Sequence, residues 1–200
     1  MQQVSGLLMK LNMATRHSHA EVDETWLELL RPTVSRADYL GQLVRTYGLV
    51  APFEGACKYT PDLGRVLDVQ QTRAGLIAQD LLALGLSASQ VANVPQCHSI
   101  TTFRSVPEAL GWSYTVERST LLQEGIRRHL LEHVPEIEAA CTYLATYDGR
   151  VGEQWATFGR VLDRVGSKPD IASEIIDAAH AAFETVKTWF RSTRAEAPTE

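Results

Sequence analysis

A chain of 200 residues, 44% hydrophobic and 22% charged, has the make-up of one soluble globular domain, able to bury roughly 70% of the surface its unfolded form exposes. A net charge of −5 without a basic stripe excludes non-specific nucleic-acid binding, which needs many Lys and Arg to replace phosphate counterions. No apolar run nears the ~20 residues of a membrane span, and MQQVSGLLMKLN has no basic region ahead of a long apolar one, so no membrane segment or signal peptide is expected.

Strand signals are almost absent, and the chain reads as helices separated by Pro, Gly and Ser. Helix one is expected over about 3–30, with Leu7, Leu8, Leu11, Val22, Trp26, Leu27 and Leu30 facing the core and Pro32 ending it. SRAD at 35–38 has the form of a capping box and opens a helix to about Ala56, which Pro52 should kink or break. A short helix is expected over 61–68 and another over about 71–84, ended by Gly85; SASQVANVPQCHS reads as turns. One long helix is expected from Pro107 to Val134, another from Pro135 to about Tyr147, one between the glycines of GRVGEQWATFGRVLDRVG, and a last one from SKPD to about Arg194. The expected fold is therefore all-α: a single-domain irregular bundle of seven to eight helices over 1–194, with a frayed tail at 195–200. Cys57, Cys97 and Cys141, widely spaced and without a CxxC pair, fit idle thiols in a reducing cytoplasm. His129 and His133 have ligand spacing but no third ligand, so they read as a solvated pair.

Helix one carries the most informative pattern. Thr15, His19 and Asp23 stand at i, i+4 and i+8, on one stripe of a helix that otherwise packs into a core. A carboxylate one turn from an imidazole can fix its tautomer and leave the other nitrogen for a metal; a structural ion pair has the same spacing.

The stretch LNMATRHSHAEVDETWLELL resembles the first helix of heme oxygenases, especially the bacterial ones paired with bacteriophytochromes. That family pattern has Thr, the proximal His four residues on, and a Glu four further; Thr15 and His19 match, and Asp23 stands for the Glu. TRAGLIAQDLLALG (72–85), LGWSYTVERSTLL (110–122) and DAAHAAFETVKTWF (177–190) resemble further family segments, in order, and the likeness covers most of the chain. The resemblance implies a heme-oxygenase-like bundle with heme between helix one and the 107–134 helix. His19 would be the iron ligand, Asp23 its hydrogen-bond partner, Phe183 and Phe190 would line the pocket, and Arg160 would meet a propionate. Many members carry a basic residue seven positions before the proximal His; here it is Asn12, and Arg16 is the nearby substitute.

The distal segment departs from the family. Arg118, Leu122 and Gln123 occupy three positions that the resemblance assigns to glycine, with Ser119, Thr120 and Leu121 between them. Glycine there lets the backbone approach heme and bend, so its loss predicts a straighter helix and a filled distal side. Two functions are consistent with this pattern. One is an enzyme that cleaves heme to biliverdin, carbon monoxide and iron with electrons from a reductase. The other is a non-catalytic relative that binds heme, another tetrapyrrole or a signalling partner.

Overall fold

The computed structural model describes residues 5–67 and 72–195. Among the described residues eight α-helices form the bundle: α1 (Gly6–Leu27), α2 (Arg36–Tyr59), α3 (Arg73–Ala83), α4 (Ala88–Ala92), α5 (Val106–Arg118), α6 (Thr120–His133), α7 (Val151–Val165) and α8 (Pro169–Ala195). Among the described residues there is no strand, and no helix is long and apolar enough to cross a membrane. The expected start of helix one at residue 3, the 68 and 71 boundaries and the tail beyond 195 lie outside the described residues.

Local chemistry sets the helix ends. Ser5 caps α1 by accepting from Leu8 N, and Asp163 of α7 accepts from Leu7 N, tying the start of α1 to its neighbour. Ser35 and Asp38 complete the capping box that opens α2. Gly85, at φ +93°, supplies the left-handed residue after α3. Helix one is shorter than expected at its far end, where Glu28–Leu30 tighten into a 3₁₀ turn.

Of the kink or break expected at Pro52, the break does not occur: α2 runs on to Tyr59. A proline leaves the carbonyl four residues back without its helical donor. That carbonyl belongs to Gly48, and Cys97 N donates to it at 2.8 Å. The approach is possible because residue 48 has no side chain: a Cβ there would lie 2.3 Å from Pro95 O. The 87–99 region, expected as turns, also holds the five-residue α4, capped by a Ser87–Gln90 box.

Two expectations about the second half fail. The 107–134 stretch is not one straight helix: it is interrupted at Ser119, where Leu122 N bonds Ser119 O in a tighter turn and the Ser119 hydroxyl donates to Val116 O. A serine hydroxyl bonded back to its own helix competes with the regular ladder and favours such a bend. Residues 135–147 form a 3₁₀ helix (Pro135–Ala140) and turns. Their conformation is set by partners elsewhere: Tyr39 donates to Ala140 O at 2.9 Å, and Asp80 accepts from Thr142 N and Tyr143 N.

The long α8 packs along α5 and α1, and Phe183 and Ala179 on its inner face are fully buried. The α5–α8 crossing is closest at Gly111, where an added Cβ would lie 2.4 Å from Ile175 O and 2.7 Å from Ala179 N. Those atoms are backbone and cannot rotate away. Gly111→Ala should therefore force the helices apart and lower stability by about 1–3 kcal/mol, read as a lower denaturant midpoint.

Candidate functional site

The α1 stripe is turned inward. Thr15 is 1% exposed, and His19 and Asp23 are also buried. The Thr15 hydroxyl donates its single proton to Leu11 O at 2.8 Å. Its 2.8 Å contact with His19 Nε2 is then closed by an Nε2–H donated from the imidazole, which assigns that tautomer. Tyr114 of α5 brings its hydroxyl to 3.4 Å from both Thr15 Oγ1 and His19 Nε2. Phe183 of α8 faces the imidazole with ring centroids 5.5 Å apart. The result is an imidazole walled by three helices, with its Nε2 aimed toward α5.

Burial lowers the pKa of His19 below its ordinary value, the Arg118 charge lowers it further, and Asp23 opposes them. The folded protein therefore resists protonation that its unfolded chain accepts at the usual histidine pKa of about 6.5. The His19 contribution to stability is complete above that value and falls as pH drops through it toward the lower folded pKa. The melting temperature should decline as pH falls below about 6.5, and His19→Gln should flatten that decline.

Asp23 does not serve His19 as expected. Its Oδ2 accepts from Arg118 Nη2 at 2.7 Å in a pair with side chains only 11% and 15% exposed. The physical reason is choice of partner: a nearly buried guanidinium gives a charge-assisted bond that a neutral imidazole cannot match. Of the three residues that replace the distal glycines, Arg118 is the one that bonds across to the α1 stripe. Gln123 is buried near Tyr143, and Leu122 is half-buried against the core. Ser119 bonds within its own helix.

The remaining predicted residues divide. Phe183 joins the His19 cluster; Phe190 is buried further along α8. Arg16 is exposed and donates to neighbouring His17. Arg160 stands on the exposed face of α7 and donates to Thr157 one turn back, so the structure does not bring it to His19. His129 and His133 stack at 4.0 Å; among the described residues no three His, Cys, Asp or Glu side chains form a metal-holding group. Two members of the cluster are not singled out by sequence reasoning. Tyr114 lies one turn before Arg118, a spacing that gives both access to one neighbour. Trp155 of α7 meets Tyr114 edge-on and donates to Thr120.

The chemistry and the space give different answers to whether heme fits. A buried, neutral imidazole is the right donor for iron once its proton moves to Nδ1. The space beside it is bridged by Tyr114 and Arg118, so a planar macrocycle enters only if Arg118 releases Asp23.

Comparison with known proteins bears on that arrangement. One solved structure similar in fold is the NO- and CO-bound heme oxygenase from Neisseria meningitidis, with a TM-score of 0.70 and 21% identity, covering 97% of this chain and 94% of that one. No curated protein sequence matches the chain. The family profile described as heme oxygenase matches residues 5–192, nearly the whole length, and the chain belongs to the heme oxygenase family.

Proposed function

We propose that this protein binds heme between α1 and the α5–α6 pair, with His19 Nε2 as the iron ligand. The observation that supports it is the buried, neutral imidazole aimed at α5, on a helix stripe shared with Thr15 and Asp23. Phe183 holds one face of the imidazole, and Thr15 supplies a hydroxyl that exchanges partners without moving the backbone. Arg118 must release Asp23, and the Tyr114 hydroxyl must give up its 3.4 Å approach to Nε2. Heme, when bound, supplies both the redox-active iron and the macrocycle that the family's reaction opens to biliverdin, carbon monoxide and iron. An outside reductase would deliver the electrons.

A specific observation favours a second reading. Arg118, at a position the family resemblance gives to glycine, is tied to Asp23 across the α1–α5 interface, which suits a relative that binds a tetrapyrrole or a partner without cleavage. The test is a hemin titration of purified protein followed in the Soret band, with His19→Ala alongside. A stoichiometric band that is lost or shifted in the variant is expected; a spectrum matching non-specifically adsorbed hemin in both would overturn heme ligation. Addition of reductant under air then separates the readings: biliverdin absorbance marks cleavage, and a persistent heme spectrum marks binding alone.

A further inference from the structure

A cavity with buried charge lies away from His19. It has a volume of about 340 Å³, within the range of sites for small molecules, and is walled by α2, α5, α7, the start of α3 and the turn residues Val66, Leu67 and Tyr147, with no residue of α1. Trp155 closes the side nearest the His19 cluster, through its edge contact with Tyr114. The cavity shares α5 with the proposed heme position but contains neither His19 nor any other residue of α1.

Its charges are unequal. One guanidinium, Arg73, sits between two carboxylates, Glu54 and Glu117. Arg73 pairs with Glu117 through Nη2 and lies 5.8 Å over the Tyr147 ring, while its buried Nε has no hydrogen-bond partner. Glu54 accepts from backbone donors, Arg73 N at 2.5 Å and Ala74 N at 3.3 Å. Burial raises the Glu54 pKa, as expected of a carboxylate whose charge is incompletely answered. The rest of the wall is aromatic and aliphatic, led by Phe53, Trp155 and Phe158. A net negative, ring-lined chamber attracts a cation with an apolar body, through a carboxylate at one end and aromatic faces along its length.

We propose that this cavity is a second ligand site, selective for a small hydrophobic amine whose ammonium group pairs with Glu54. An anionic ligand of the same size meets two carboxylates, Glu54 and Glu117, against the single guanidinium of Arg73. A neutral one gains the apolar contacts without the ion pair.

The experiment uses three probes of similar shape: 2-phenylethylamine, 2-phenylethanol and phenylacetate. Binding is followed by the indole N–H resonance of Trp155 in a proton–nitrogen correlation spectrum, assigned with Trp155→Phe. Saturable shifts with the amine, at least tenfold weaker with the alcohol and none with the acid, are expected. Glu54→Gln, which keeps an acceptor for the α3 amides, should weaken the amine at least tenfold and leave the alcohol unchanged. Gln154→Trp, which fills the rim and alters no charge, should abolish both. No saturable shift with millimolar amine, equal binding of amine and alcohol, or an unaltered response in Glu54→Gln would each overturn the proposal.

Discussion

Replacing Arg118 with glycine should raise hemin affinity about 10- to 100-fold while making the heme-free protein less stable. The two effects share one cause. Arg118 and Asp23 form a nearly buried pair, and removing one partner leaves a carboxylate without its counter-charge. Breaking a fully buried pair costs about 3–5 kcal/mol; the remaining exposure here brings the expected loss to about 2–3 kcal/mol. Glycine within a helical stretch adds about 1 kcal/mol. Hemin binding to the wild type must break the same pair before it gains a ligand bond, and the variant has none to break. Removing about 1.4–2.8 kcal/mol of that opposition gives the stated gain, at about 1.4 kcal/mol per tenfold. The pKa of His19 should rise as well, because a positive charge that depresses it is gone. Competitive hemin transfer, denaturant melts and imidazole proton titration measure the three effects. Unaltered hemin affinity would mean that Arg118 does not obstruct the site.

The Asp23 pairing explains why part of the site is legible in the sequence and part is not. Helical spacing places Thr15, His19 and Asp23 on one inward stripe, because a backbone period of 3.6 residues fixes which positions share a face. It does not fix partners. Asp23 turns to a guanidinium 95 positions away, and only tertiary packing decides which long side chain arrives. The place of Arg160 is likewise set by packing: α7 turns Phe158 and Val161 inward, which sends residue 160 to solvent, away from His19. Spacing also cannot show that Cys97 answers the carbonyl orphaned by Pro52, so local rules predict a break where the helix continues. The all-helical architecture is readable because each helix carries its own periodicity and caps. The 135–147 segment is not, since no local pattern announces that Tyr39 and Asp80 hold it from across the bundle.

That last dependence carries the second large effect, at Asp80. Its carboxylate is fully buried in α3 and accepts from Thr142 N at 2.9 Å and Tyr143 N at 2.8 Å. Burial raises its pKa while the two amide donors pull the other way, so the amides are what make a carboxylate tolerable there. Asp80→Ala removes the acceptor and leaves two backbone N–H groups without the partner they have in the native fold. Each such group costs about 1–3 kcal/mol, so a loss of about 3–4 kcal/mol is expected. That is a large part of the 5–15 kcal/mol that holds a typical domain together. Asp80→Asn retains one carbonyl acceptor and should lose roughly half as much. The damage should also spread to the Glu54 cavity, because the anchored turn leads to Tyr147, which lies over Arg73. Denaturant unfolding of the three proteins, with amide exchange at Thr142 and Tyr143, checks the order. If Asp80→Ala lost less than about 1 kcal/mol, the turn would be held by its own 3₁₀ geometry and the Tyr39 bond, not by the carboxylate beneath it.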